Sequence, residues 1–118
     1  MIEVVKNFIE KYNLSGTFIV AFSGGYDSMC LLDIMHKLNL RTVAVHLNHN
    51  WRGEESLNEA KNCEEFAKAT GIEFYSEILP ENIAKTETAA REARYDFFKR
   101  CAERFNTNII FTAHNADD

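Results

Sequence analysis

Residues Thr17 to Phe22 read TFIVAF, an unbroken apolar, aromatic and β-branched run with none of the alternation of a half-buried strand. Such a strand is buried on both faces, which requires helices packed above and below its sheet. Ser23-Gly24-Gly25 breaks the run, and Met29, Leu31, Leu32, Ile34, Met35 and Leu38 then recur at helical spacing up to Asn39. Arg41 to Leu47 is a second strand, ending in a polar loop. Ser56 and Glu59 match a capping box opening a helix with Ala60, Cys63, Ala67 and Thr70 on its inner stripe, closed by Gly71. Ile72 to Leu79 is a third strand. Thr86 caps a long helix with Ala90, Ala93, Phe97, Cys101 and Phe105 on one face, and Asn108 to Thr112 is a fourth strand. Before the first strand, Ile2, Val5, Phe8, Ile9 and Tyr12 form a helical stripe that ends at Asn13-Leu14-Ser15-Gly16. Strand and helix thus alternate with short connections. The fold class expected is α/β: a parallel open sheet flanked by helices on both faces, joined by right-handed crossovers.

The chain has 118 residues, enough for one domain with a real core and too few for two. It stops after a strand, a loop and a cap-like residue, so it is expected to be C-terminally truncated, a fragment of something longer. The longest apolar stretch, Phe18 to Phe22, is far short of the ~20 residues that span a bilayer. Glu3, Lys6, Glu10 and Lys11 interrupt the N-terminal segment, so no targeting segment is expected there. A cytoplasmic protein without membrane partners is expected. Thirteen basic residues against eighteen acidic give a net charge of -5, which argues against this segment gripping a polynucleotide backbone unaided. Cys30, Cys63 and Cys101 lie far apart in helical patterns with no C-x-x-C, and read as reduced, buried thiols.

Ligands of open parallel sheets bind beyond the carboxyl ends of the strands, where strand order reverses. The first such loop is Ser23-Gly24-Gly25-Tyr26-Asp27-Ser28. Its glycines allow a tight turn and close backbone approach, aiming several N–H groups at one spot at the positive end of a helix. That suits a phosphate or pyrophosphate, with hydroxyls from Ser23 and Ser28 and a metal-holding carboxylate from Asp27. The competing reading is a plain glycine turn capped by Asp27 or Ser28. The loop matches neither G-x-x-x-x-G-K-[ST] nor G-x-G-x-x-G. His46 and His49 flank the end of the second strand. No third ligand lies near them in sequence, so structural or nucleotide-contacting roles are favoured over a zinc site. On the long helix, Arg94 falls within the apolar stripe, and Glu87 lies one turn before Arg91. An inward guanidinium needs a partner, either Glu87 in a structural ion pair or a ligand at the sheet edge. Lys99, Arg100 and Arg104 read as a solvated face. The last segment, Thr112 to Asp118, carries His114, Asp117 and Asp118, with Asp117 also readable as a helix cap.

The run SGGYDS resembles the PP-loop of the N-type ATP pyrophosphatases. The segments HLNHNWR, ETAAREARYDFF and TAHNADD, in this order and spacing, resemble the N-terminal domain of the tRNA(Ile)-lysidine synthetase family. The resemblance covers nearly the whole chain. It implies that residues 1–118 form a PP-loop ATPase domain of the adenine nucleotide α-hydrolase-like type, without the tRNA-binding domains. It further implies ATP and Mg²⁺ as cofactors, and tRNA(Ile) and free lysine as partners. Ser23, Gly24, Gly25, Tyr26, Asp27 and Ser28 would bind ATP, His46 and His49 would border its pocket, and Arg52 would reach phosphate. Arg94, with Arg91 second, and His114 would contact substrate. Asp27 and Asp118 would share a Mg²⁺, their strands being neighbours in the reversed order expected. Asp27, Arg94 and Asp118 would carry the chemistry. The implied reaction adenylates the wobble cytidine of tRNA(Ile) and then joins lysine to it, a ligase activity that the fragment alone is not expected to show. The alternatives are a related tRNA cytidine thiolase and a non-catalytic ATP-binding module.

Overall fold

The computed structural model describes residues 2–22, 26–48, 54–79 and 86–112, and only the backbone of residues 26, 27, 55 and 56. The elements in chain order are α1 (Ile2–Lys11), β1 (Thr17–Ala21), α2 (Tyr26–Lys37), β2 (Arg41–Asn48), α3 (Glu54–Thr70), β3 (Glu73–Ile78), α4 (Glu87–Arg104) and β4 (Ile110–Thr112). All strand pairs are parallel, and the sheet order is β3-β2-β1-β4. The two inner strands are the ones whose sequences are apolar without alternation. In β2 every residue from Thr42 to Asn48 is buried, while the edge strand β3 keeps three of its six positions exposed.

The sheet has a core on each face. Phe18, Val20, Phe22 and Ala44 point to one side, where Leu32 and Met35 of α2 and Cys63 and Ala67 of α3 cover them, with Val5 and Ile9 of α1 packed against the group. Ile19, Val43, Val45 and Leu47 point to the other side, against Phe97 and Cys101 of α4. This follows from handedness. The chain steps from β1 through β2 to β3 in one direction, with α2 and α3 on the same face. To return to β4, beside β1, by a right-handed crossover it must place α4 on the opposite face. The expected architecture, parallel with helices on both faces, is the observed one.

Helix ends account for most of the turns. Asn13, Asn39 and Asn106 have φ of 51°, 58° and 52°, and Gly71 has φ of 82°. Each sits just past a helix, and the two N–H groups that follow the last turn bond back to its free carbonyls. In α1 these are Asn13 N to Glu10 O at 3.2 Å and Leu14 N to Ile9 O at 3.0 Å. The same pair of bonds recurs at Asn39 and Leu40, at Gly71 and Ile72, and at Asn106 and Thr107. This is the Schellman arrangement, which needs a left-handed residue and so selects Gly or Asn.

At the other end of α4, Thr86 Oγ1 accepts from Ala89 N at 3.1 Å, the cap the sequence predicts. The start of α3 differs from expectation. It begins at Glu54, so Ser56 already lies inside the first turn and is not the N-cap of a capping box. Glu54 and Glu55 are good helix formers whose negative charge suits a helix N-terminus, and they carry the helix two residues further back. The cysteines are free; Cys63 and Cys101 are buried, but Cys30 is only half-buried.

Candidate functional site

The parallel register sets the last residue of β1, Ala21, beside the last residue of β4, Thr112, and beside Val45 of β2, which continues along the same direction to Asn48. The strand order reverses at β1, where β4 is inserted beside it. The loops following β1, β2 and β4 therefore leave the same edge of the sheet at its topological switch point, the location favoured for ligands. α4 approaches that edge with its N-terminus. At its other end Thr107 Oγ1 donates to Thr17 O at 2.6 Å, which ties the helix exit to the opposite, amino edge.

Ser23, Gly24, Gly25, His49, Arg52, His114 and Asp118 lie outside the described residues, as do the side chains of Tyr26 and Asp27. Tyr26 and Asp27 occupy the first turn of α2, directly after the glycine loop, so the N-terminus of a twelve-residue helix faces the switch point. Ser28, in the same turn, is 1% exposed.

Phe22 is the last described residue before the glycines, and it is held twice. Its N–H donates to Val45 O at 2.8 Å, extending the β1–β2 pairing by one residue. Its carbonyl accepts from His46 Nδ1 at 2.8 Å. A carbonyl can only accept, so the imidazole carries its proton on Nδ1. His46 is 7% exposed, and its Nδ1 lies 3.9 Å from Cys63 Sγ. Burial, with Glu59 adding to it, pushes the Cys63 thiol up to about 12. Burial likewise pushes Cys101 up to about 11. Both are neutral thiols at pH 7 and poor nucleophiles.

On α4, Arg94 is half-buried and Arg91 exposed. Among the described residues neither pairs with Glu87, so the structural ion pair that the sequence allowed is not formed. Arg100 and Arg104 are exposed, as expected of a solvated face, and both also engage β3. Arg100 donates to Glu77 Oε1 at 2.7 Å and, through Nε, to Oε2 at 3.4 Å; the Tyr75 hydroxyl donates to the same Oε2 at 2.7 Å. The Arg104 guanidinium lies 4.6 Å from the centre of the Tyr75 ring. The Arg100 hydrogen bonds, foremost, hold the Glu77 carboxyl below its ordinary range. This cluster clamps the C-terminal half of α4 to the edge strand β3. Sequence gave no signal for it, since the partners are joined only through the register of β3 against α4. The same holds for the Phe22–His46 bond, whose residues are 24 apart.

A family model described as a PP-loop domain matches residues 1–118. The chain is 43% identical to the tRNA(Ile)-lysidine synthase of Clostridium tetani and 40% identical to that of Clostridium acetobutylicum, with 100% of this chain and 28% of each relative covered. It thus spans 28% of the length of these curated relatives. Among solved structures it is similar to the NMN synthetase of Francisella tularensis, with a TM-score of 0.69 at 17% identity over 98% of this chain and 52% of that one. It is also similar to the NH3-dependent NAD synthetase of Campylobacter jejuni, with a TM-score of 0.68 at 12% identity over 97% of this chain and 53% of that one. At such identities the likeness concerns the fold alone.

Proposed function

The chain belongs to the PP-loop domain family, and on that premise we propose that residues 1–118 form the ATP-binding domain of a tRNA(Ile)-lysidine synthase. The observation that carries this reading is the meeting of the β1, β2 and β4 exits at one switch point, together with relatives of that name at 43% and 40% identity. The loop from Ser23 to Ser28 cradles the triphosphate. Its N–H groups and the N-terminus of α2 supply positive potential, and Ser23 and Ser28 supply hydroxyls. Gly24 and Gly25 let the backbone approach, and Tyr26 belongs to the same cradle. His49 and Arg52, on the loop after β2, border the nucleotide, with Arg52 on phosphate.

Asp27 follows β1 and Asp118 follows β4, two neighbouring strands. Carboxylates are the oxygen donors that Mg²⁺ takes, so this pair fits the ion. Among the described residues no group of three His, Cys, Asp or Glu gathers into another metal site. Asp27 and Asp118 would hold Mg²⁺, which when bound would supply positive charge to offset that of the leaving pyrophosphate. The C2 oxygen of the wobble cytidine attacks the α-phosphate of ATP, and pyrophosphate leaves. The amine of free lysine then displaces AMP from C2. Arg94 of α4 orients the substrate, with Arg91 and His114 as further substrate contacts. The net charge of -5 offers little to a polynucleotide backbone, so the main grip on tRNA falls outside residues 1–118. No described helix is long and apolar enough to cross a membrane, and a cytoplasmic setting fits tRNA chemistry.

The test is mass spectrometry of tRNA(Ile) incubated with a protein containing this sequence, ATP and lysine. Lysidine at the wobble position, dependent on both small molecules, is the expected product. A thiolated cytidine, or an unmodified tRNA despite ATP binding, refutes the assignment. The thiolase reading gains nothing from Cys63 and Cys101, whose thiols are buried and neutral.

A further inference from the structure

We propose that His46 is the positioning residue of the nucleotide loop, acting through the carbonyl of Phe22 and not by touching the ligand. The proposal rests on the reading of the loop from Ser23 to Ser28 as the ATP cradle. β1 ends at Ala21, yet Phe22 is fixed at both polar atoms, its N–H by Val45 O and its carbonyl by His46 Nδ1, each at 2.8 Å. The second bond has consequences beyond Phe22. A peptide group is planar, so the carbonyl of Phe22 and the N–H of the next residue, Ser23, share one plane. Holding the carbonyl sets the direction in which the first N–H of the loop is delivered. A loop that binds phosphate through its N–H groups depends on such directions, and misplacement by ~1 Å can cost on the order of a hundredfold where geometry is demanding.

The surroundings suit this role better than direct contact. His46 points to the face covered by α3, where Cys63 Sγ lies 3.9 Å from Nδ1 and the Phe66 ring packs, tilted by 56°, at 5.6 Å from the Phe22 ring. The ring is 7% exposed. A catalytic Cys–His pair is not what this is, because the Cys63 thiol is pushed up to about 12 by burial and stays neutral. The imidazole is used as a fixed donor. A buried polar side chain bonded to backbone across a strand boundary is costly to replace by an apolar one, since it leaves the carbonyl unsatisfied.

The test compares His46→Asn, whose amide nitrogen sits near the place of Nδ1, with His46→Leu, which fills similar space and donates nothing. ATP affinity is measured by calorimetry beside thermal melting. His46→Asn should bind within about threefold of the parent, whereas His46→Leu should lose about tenfold or more, the scale of one unsatisfied buried carbonyl. Cys101→Ala, on the opposite core face, provides a variant of lowered melting temperature and unchanged affinity. Equal losses in the Asn and Leu variants would mean that the imidazole itself meets the ligand, and normal binding by His46→Leu would mean that it positions nothing; either overturns the proposal. Gly25→Val separates the premise. If it binds ATP like the parent, the loop reading falls and His46 with it. If it is dead while His46→Leu binds normally, only the His46 proposal falls. Nitrogen NMR on the unmodified protein needs no variant: the Nδ1–H tautomer is expected, and the Nε2–H tautomer would refute the hydrogen bond.

Discussion

Replacing Glu77 by Gln tests the clamp between β3 and α4. The change keeps the shape and one acceptor oxygen but removes the charge that two nitrogens of Arg100 and the Tyr75 hydroxyl converge on. Charge-assisted hydrogen bonds contribute about 1.5–3 kcal/mol when shielded, and exposed ion pairs about 0–1 kcal/mol. The Arg100 side chain is 51% exposed and that of Glu77 25%, so solvent screening pulls the value down. A loss of about 1 kcal/mol at pH 7 is expected. The pH dependence has a definite sign. Arg100, above all, depresses the folded-state pKa of Glu77. A depressed carboxylate adds stability that is fully present above its unfolded value, near pH ~4, and is lost as pH falls through the folded value. Urea unfolding of parent and Glu77→Gln should therefore differ at pH 7 and converge as the pH falls through the depressed folded value. A gap that persists undiminished in acid would mean that shape and not charge makes the clamp. No gap at pH 7 would mean that it contributes nothing.

Asn39, at a φ of 58°, should tolerate Gly within about 0.5 kcal/mol, whereas Asn39→Ala should cost about 1 kcal/mol, read by urea unfolding; equal stability of the two would refute the left-handed cap. A small thiol reagent at pH 8 should modify half-buried Cys30 first and reach Cys63 and Cys101, pushed up to about 12 and about 11, only on unfolding; rapid labelling of either in the folded protein would contradict their burial. In a protein containing this sequence with adenylation activity, Asp27→Asn and Asp118→Asn should each slow adenylation by orders of magnitude, and the double variant should be far less impaired than their product. Strictly multiplicative losses would refute a shared ion.

The inner strands were legible because burial on both faces leaves a continuous apolar run, as in Thr17 to Phe22 and in Thr42 to Leu47. The neighbourhood of β1 and β4 followed from the fold class. Thr86 was legible as a cap because its hydroxyl serves a donor three residues away. The start of α3 was not, since Ser56 and Glu59 carry the right residues at the right spacing while Glu54 and Glu55 extend the helix past them. Local pattern cannot decide between two adequate starts. Of the candidate site, the glycine loop and its place after a buried strand were legible. The bonds that matter around it were not: Phe22 to His46 and Arg100 to Glu77 join residues 24 and 23 apart, and only the register of the strands brings them within reach.

Each helix hands the chain back to the sheet through the same closure, with Asn13, Asn39, Gly71 or Asn106 turned left-handed and the next residue bonded into the helix. All of these corners lie at the amino edge, and none reaches further than five residues along the chain. Each can form as soon as its own helix does, before any strand has found its neighbour. The two edges of the sheet therefore differ in what alteration they accept. Inserting residues beside Asn13 or Asn39 breaks a corner that has no slack. Lengthening the segments that leave β1, β2 and β4 changes what the protein meets and leaves every corner intact. New chemistry can be grafted along one edge of such a domain without renegotiating how the chain folds along the other.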